Sequence, residues 1–118
     1  DELVIWINAK DNVEVLKFMR DELDYNFLVE MSAVDFLAKK GGFEIFYELL
    51  SLSKRKRVRV KTFIKENEAI ETVEKIHRSA NFSEREMFDM FGIQVNNHSY
   101  LKRIFMPDDW EGYPLRKT

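Results

Sequence analysis

Two runs of alternating apolar and polar residues, joined by a short basic stretch, constrain this chain more than anything else in it. Residues 43–52 set Phe43, Ile45, Tyr47 and Leu49 on one side and Glu44, Phe46, Glu48 and Leu50 on the other. Residues 58–65 set Val58, Val60, Thr62 and Ile64 against Arg59, Lys61, Phe63 and Lys65. A period of two belongs to a strand with one buried face. Joined through a four-residue loop at 53–56, the runs form an antiparallel hairpin. That loop places Ile45 opposite Ile64, Tyr47 opposite Thr62 and Leu49 opposite Val60. On the other side Glu44 meets Lys65, Phe46 meets Phe63 and Glu48 meets Lys61. Such pairs contribute roughly 0.2–1 kcal/mol each, and a one-residue slip would turn every apolar side chain to the wrong face.

The flanking segments supply the rest of one small domain. Leu3-Val4-Ile5-Trp6-Ile7 reads as a short strand. Asp11, with Glu14 three residues on, is a capping signal for a helix that ends near Glu22 and buries Val15, Leu16, Met19 and Leu23. Strand chemistry resumes over 27–38, and Gly41-Gly42 makes a turn. Ile70, Val73 and Ile76 or His77 mark a second helix. Ser83 is a suitable N-cap for a third, with Glu86 completing a capping box and Phe82 and Met87 placed as a hydrophobic staple. Gly92 supplies a left-handed stop. In that helix Met87, Met90 and Phe91 share the apolar face, and Glu84, Arg85 and Asp89 point elsewhere. The expected fold is α+β: a small mixed or antiparallel sheet over residues 1–105, covered by helices on one face.

The C-terminal segment, 106–118, has a different character. After a brief alternation at Ile93-Gln94-Val95 and a polar turn at Asn96-Asn97-His98-Ser99, the chain becomes an extended arm pinned by Pro107 and Pro114. Trp110, Tyr113 and Leu115 are apolar surface that so short a segment cannot bury on itself. Charges of both signs flank them, and aromatic and arginine side chains are the usual energetic centres of protein contacts. The arm is therefore expected to dock on a partner and to be held only by chance neighbours in the isolated chain. Deleting 107–118 should then leave the unfolding midpoint nearly unchanged.

Composition excludes several classes of function. A length of 118 residues allows one modest core. A net charge of −2 gives no overall preference for nucleic acid or anionic lipid. There is no cysteine, which removes disulfides and thiolate-held iron–sulfur clusters. Four glycines form no phosphate-binding loop, so a nicotinamide or flavin site of the usual kind is not expected. His77 and His98 are the only histidines, too few for a metal site without carboxylates; a core-edge role and a turn role explain them better. Glu86 is accounted for by the cap and Arg85 with Asp89 by an i,i+4 pair, leaving no acid–base constellation. The basic run Lys54-Arg55-Lys56-Arg57 reads first as a solvated hairpin tip, next as a contact for an acidic partner, and last as a nucleic-acid site. No apolar stretch approaches the roughly 20 residues of a spanning helix, and no signal or transit pattern is visible. Any membrane link is expected to run through other proteins. The start at Asp1, without methionine, points to a trimmed piece of a longer chain.

Several of these residues together resemble a known family. Glu84-Arg85-Glu86, Asp89, His98 and Lys102-Arg103-Ile104-Phe105, followed by the arm from Met106 to Lys117, are similar to the signature of the 30 kDa (or C) subunit of respiratory complex I, the NADH:quinone oxidoreductase. That family has relatives in membrane-bound nickel–iron hydrogenases. The likeness is dense over the last third of the chain and continues more loosely through Val34-Asp35, Tyr47 and residues 57–61. Ser99 departs from it, since the family usually has proline there. The resemblance implies a peripheral-arm subunit, on the cytoplasmic side of the membrane or the matrix side in mitochondria, that docks on the large quinone-site subunit beside iron–sulfur subunits. It also implies no cofactor in this chain, with flavin, iron–sulfur clusters and the quinone site in partner subunits, and no catalysis by the chain alone. The partner-facing candidates are Arg85, Asp89, His98, Arg103, Asp108, Trp110, Arg116 and Lys117. Two alternatives stand beside this reading: the equivalent small subunit of a hydrogenase or related energy-converting complex, and a free-standing protein-binding adaptor.

Overall fold

In chain order the elements are β1 (Leu3–Trp6), a single 3-10 turn (Ala9–Asp11), α1 (Asn12–Asp21), β2 (Phe27–Phe36), α2 (Leu37–Lys40), β3 (Gly42–Ser51), β4 (Lys56–Lys65), β5 (Ile70–Glu71), α3 (Ala80–Phe91) and β6 (Val95–Asn96). This computed structural model describes residues 3–101 and 111–116. Lys102, Arg103, Asp108, Trp110 and Lys117, and the expected domain boundary at 105, lie outside the described residues.

The alternating runs do become the centre of the sheet, whose strand order is β1-β4-β3-β2. β3 pairs antiparallel with β2 and β4, and β1 runs parallel to β4, so the sheet is mixed. The inward side chains Phe43, Ile45, Tyr47, Leu49 and Val60 are all 0% exposed. Leu16 and Met19 of α1 and Met87 and Phe91 of α3 pack against them, giving the α+β layering with helices over one face. The opposite face carries a polar and aromatic ladder. Arg59 pairs with Glu48 at 2.9 Å and Lys61 with Glu44 at 3.0 Å. The Arg59 guanidinium lies 4.3 Å from the Phe46 ring centre and the Lys61 ammonium 5.5 Å from that of Trp6.

The hairpin register differs from the expected one by two residues. Tyr47 lies opposite Val60 and Ile45 opposite Thr62, and the ladder closes at Ser51 and Lys56, so the loop is 52–55. A two-residue slip preserves side-chain parity, and so the apolar pattern alone could not tell the two registers apart. The loop decides. The Lys54 N–H bonds to the Ser51 hydroxyl at 3.3 Å, and Arg55 takes a left-handed φ of 54°.

Two helix assignments are also corrected. Residues 70–77 are not helical: Ile70 and Glu71 pair in parallel with Val95 and Asn96, and turns follow. Ile70, Val73 and His77 are buried at spacings of three and four, which imitates a helix stripe. The third helix starts at Ala80, not after Ser83, and no side chain caps it. Ala80, Glu84, Met87 and Phe91 are all buried, so the inward stripe extends one turn further upstream than the apolar residues alone indicate.

Candidate docking site

Among the described signature residues, Glu84, Asp89 and the side chain of His98 are buried at or beside α3. Glu84, expected to point away from the core, is 0% exposed. Its carboxylate accepts the Thr72 hydroxyl at 2.5 Å and the Val73 N–H at 2.9 Å. Burial raises Glu84 to about 7, against the lowering influence of those two bonds and of nearby His98. The bonds tie α3 to the turn that follows β5, the segment the sequence pattern had mistaken for a helix.

His98 closes the other side of this junction. Its Nδ1 accepts the Tyr100 N–H at 2.9 Å, so Nε2 carries the ring hydrogen and donates to the Asn81 carbonyl, also at 2.9 Å. Nε2 lies 3.8 Å from Glu84, beyond hydrogen-bond reach, and both side chains are 0% exposed. Ser99 adds a clamp. Its N–H and hydroxyl donate to the two oxygens of Glu74 at 2.6 and 2.7 Å, and Asn81 Nδ2 donates to the same carboxylate at 2.8 Å. Burial pushes Glu74 up, yet these bonds from Asn81 and Ser99 hold it below the ordinary carboxylate value. Proline at position 99 has no N–H to give, so the residue that departs from the family pattern supplies two bonds of its own.

A second polar junction lies deeper. Asn12, 0% exposed, donates to the Tyr47 hydroxyl at 3.2 Å and to the Glu71 carbonyl at 2.7 Å. Burial raises Tyr47 strongly. His77 is buried at the core edge, and burial lowers it.

The described part of the arm, 111–116, lies against the C-terminal end of α3. The Leu115 N–H donates to the Met90 carbonyl at 2.9 Å, and Arg116 Nε donates to the Phe91 carbonyl at 2.5 Å. These are among the carbonyls a helix end leaves without partners. Arg116 also approaches Glu66 at 3.6 Å and stacks 5.4 Å from the ring centres of both Phe43 and Tyr113. Gly92 takes the expected left-handed stop, at φ 78°, and a Cβ there would fall 2.6 Å from the Tyr113 ring. These contacts join the six described arm residues to the end of α3 and to Phe43 of the sheet.

Of the eight partner-facing candidates, four are described. Arg85 is half-buried over Tyr100, with the guanidinium 5.1 Å from the ring centre. Asp89 is 0% exposed. The His98 side chain is enclosed, and Arg116 caps α3. Arg103, Asp108, Trp110 and Lys117 fall outside the described residues. Sequence reasoning missed Thr72, Glu74, Asn81 and the inward role of Glu84. Only the last had a legible signal, its spacing from Ala80 and Met87.

Comparison with known proteins places these features in a family. The family model described as the 30 Kd subunit of respiratory-chain NADH dehydrogenase matches residues 5–118. The NADH-quinone oxidoreductase C subunit of Citrifermentans bemidjiense is 43% identical over 117 residues, covering 98% of this chain and 73% of that protein. The corresponding protein of Roseiflexus sp. strain RS-1 is 41% identical over 119 residues, covering 98% and 68%. Among solved structures, a chain of the membrane-bound sulfane sulfur reductase, an archaeal respiratory membrane complex, matches with a TM-score of 0.87 and 27% identity, over 98% of this chain and 70% of that one. The junction of Glu84, His98 and the arm therefore sits in a chain that belongs to the 30 kDa subunit family of respiratory-chain NADH dehydrogenases.

Proposed function

We propose that this chain is a cofactor-free, peripheral-arm subunit of an NADH:quinone oxidoreductase of the complex I type. It docks on the large quinone-site subunit, beside iron–sulfur subunits, and keeps their redox groups at fixed spacing. The observation that carries this reading is the family match over residues 5–118, with NADH-quinone oxidoreductase relatives above 40% identity across 98% of the chain. The internal bracing supports a positioning role, since Glu84, Glu74 and Arg116 each tie α3 to a different segment. A docking element must hold its shape before its partner arrives. Among the described residues, no three His, Asp or Glu side chains could hold a metal ion, and no helix is long and apolar enough to cross a membrane. The proposed site is the cytoplasmic face of the membrane, or the matrix face in mitochondria, reached through partner subunits. Arg85 and the arm, with Arg103, Asp108, Trp110 and Lys117, are the proposed contacts.

A second reading, the equivalent subunit of another energy-converting respiratory complex, draws on the likeness to the sulfane sulfur reductase chain. Genetic deletion followed by complementation tests the first. Membranes lacking this chain should lose NADH:quinone reductase activity and recover it with the wild-type gene. Intact activity without the chain would refute the proposal.

A further inference from the structure

We propose that the tip of the β3–β4 hairpin is a second docking surface, which takes an acidic segment of a partner protein. This inference rests on the reading that the chain works inside a multi-subunit assembly. Residues 52–57 are all exposed, and four consecutive cations, Lys54, Arg55, Lys56 and Arg57, occupy the tip. The chain as a whole carries a net charge of −2, so the cluster is not the local sample of a basic protein. Further along β4 the chain neutralises its own cations, Arg59 with Glu48 and Lys61 with Glu44. At the tip it does not. Among the described residues, no carboxylate comes within ion-pair distance of Lys54, Arg55 or Lys56, and Arg57 reaches only to 4.0 Å from Glu48, which Arg59 already holds. Asp24, the nearby carboxylate, accepts hydrogen bonds from Ser53 and Asn26 and attracts Lys54 without forming an ion pair with it.

Shape adds to charge. Leu3, Tyr25 and Val58, with Arg55, Lys56 and Arg57, line a hollow of about 380 Å³. Leu3 and Leu52 are 60% and 63% exposed. A hollow that holds the exposed Leu3 among three cations suits a segment whose acidic residues flank an apolar side chain. A lipid surface would read the charge without needing the hollow. A single-stranded nucleic acid would favour exposed aromatic rings for stacking, whereas Tyr25 is 7% exposed with Lys54 over its ring. The tip is also held firmly. It ends two fully paired ten-residue strands, and the Ser51 hydroxyl bonds the Lys54 N–H. Arg55 holds a left-handed φ of 54°, a conformation that glycine or asparagine adopts with less strain. An arginine there keeps a charge at the expense of backbone strain, as a contact residue would.

The test uses the full chain and membranes from cells lacking it. The reversed variant carries Lys54→Glu, Arg55→Glu and Lys56→Glu; a neutral version with glutamine at all three positions covers any misfolding of the first. Wild-type chain should restore NADH:quinone reductase activity. The reversed chain should need at least about tenfold more protein for half-restoration at low salt. That gap should close by about 0.5 M salt, where the screening length falls to about 4 Å. In the wild-type complex, a photocrosslinker at Leu52 should capture a protein segment rich in Asp and Glu. Equal half-restoration at low salt, or capture of lipid, RNA or the chain's own N-terminus, would overturn the inference. Failure of the wild-type chain itself to restore activity would sink the functional reading and this inference with it.

Discussion

Replacing Glu84 with glutamine should make the protein more stable above neutral pH, and the structure sets the size of the effect. The Glu84 carboxyl stands at about 7 against an ordinary value of 4.5, chiefly because it is buried. The displacement is about 2.5 pH units; at about 1.4 kcal/mol each it amounts to about 3–4 kcal/mol. The folded value is the higher one, so between pH 4.5 and 7 the folded chain holds a proton that the unfolded chain releases. Stability from this group is therefore complete below about pH 4.5 and falls as pH rises through 7, after which the loss is constant. Glutamine imitates the protonated acid. Its oxygen can accept the Val73 N–H and its amide can donate to the Thr72 hydroxyl, the two partners Glu84 already has. Urea unfolding of both proteins at intervals from pH 5 to 8.5 gives the difference free of other titrations, including that of His77, whose lowered value slopes the opposite way below 6.5. The curves should differ by less than about 1 kcal/mol at pH 5 and separate by about 3 kcal/mol at pH 8, with the glutamine variant the more stable. Parallel curves, or a glutamine variant weaker at pH 8, would refute the reasoning: the buried acid would then be stabilised as an anion by something other than the contacts described.

Three further outcomes follow from α3 and its neighbours. Gly92→Ala should cost about 1–2 kcal/mol for the left-handed backbone plus more for meeting Tyr113, whereas Gly41→Ala, at φ 73° with nothing within 4 Å, should show the backbone part alone. Equal losses in urea denaturation would mean that Tyr113 does not pack on Gly92. Deleting 107–118 should lower stability by about 2–4 kcal/mol, since it removes a charge-assisted and a neutral hydrogen bond to the end of α3; an unchanged midpoint would restore the picture of a loose arm. Ser83→Ala should change stability by less than about 0.5 kcal/mol, not the roughly 0.5–2 kcal/mol expected of a lost N-cap, because Ser83 lies inside the helix. A loss above about 1 kcal/mol would return the helix start to Ser83.

The sheet was legible because strand periodicity is a property of the residues themselves. Phe43, Ile45, Tyr47 and Leu49 could face only inward together, and they do. Register was less legible, since the closing pair Ser51–Lys56 depends on how the loop satisfies its backbone. The mistaken helix at 70–77 shows the limit of spacing arguments: buried Ile70, Val73 and His77 have helical intervals, but Ile70 and Glu71 take their backbone partners from the strand of Val95 and Asn96, distant in sequence. The start of α3 was misplaced for a related reason. An ideal capping box is a local signal, and the burial of Ala80 and Glu84 against the rest of the molecule outweighed it. The family signature was visible as a string of residues. That Glu84 and His98 brace the interior could be read only once Thr72, Asn81 and Tyr100 were in place around them.

The most direct test of the functional account is purification of this chain, with an affinity tag on its own gene, from mildly solubilised membranes of its own cells. The account predicts one stoichiometric assembly containing the large quinone-site subunit and an NADH-oxidising module, with NADH:quinone reductase activity that follows the tagged chain through gel filtration. Recovery of the chain as a free monomer would contradict the account. So would an assembly built on a nickel-binding subunit with no response to NADH, which would move the chain to the hydrogenase relatives.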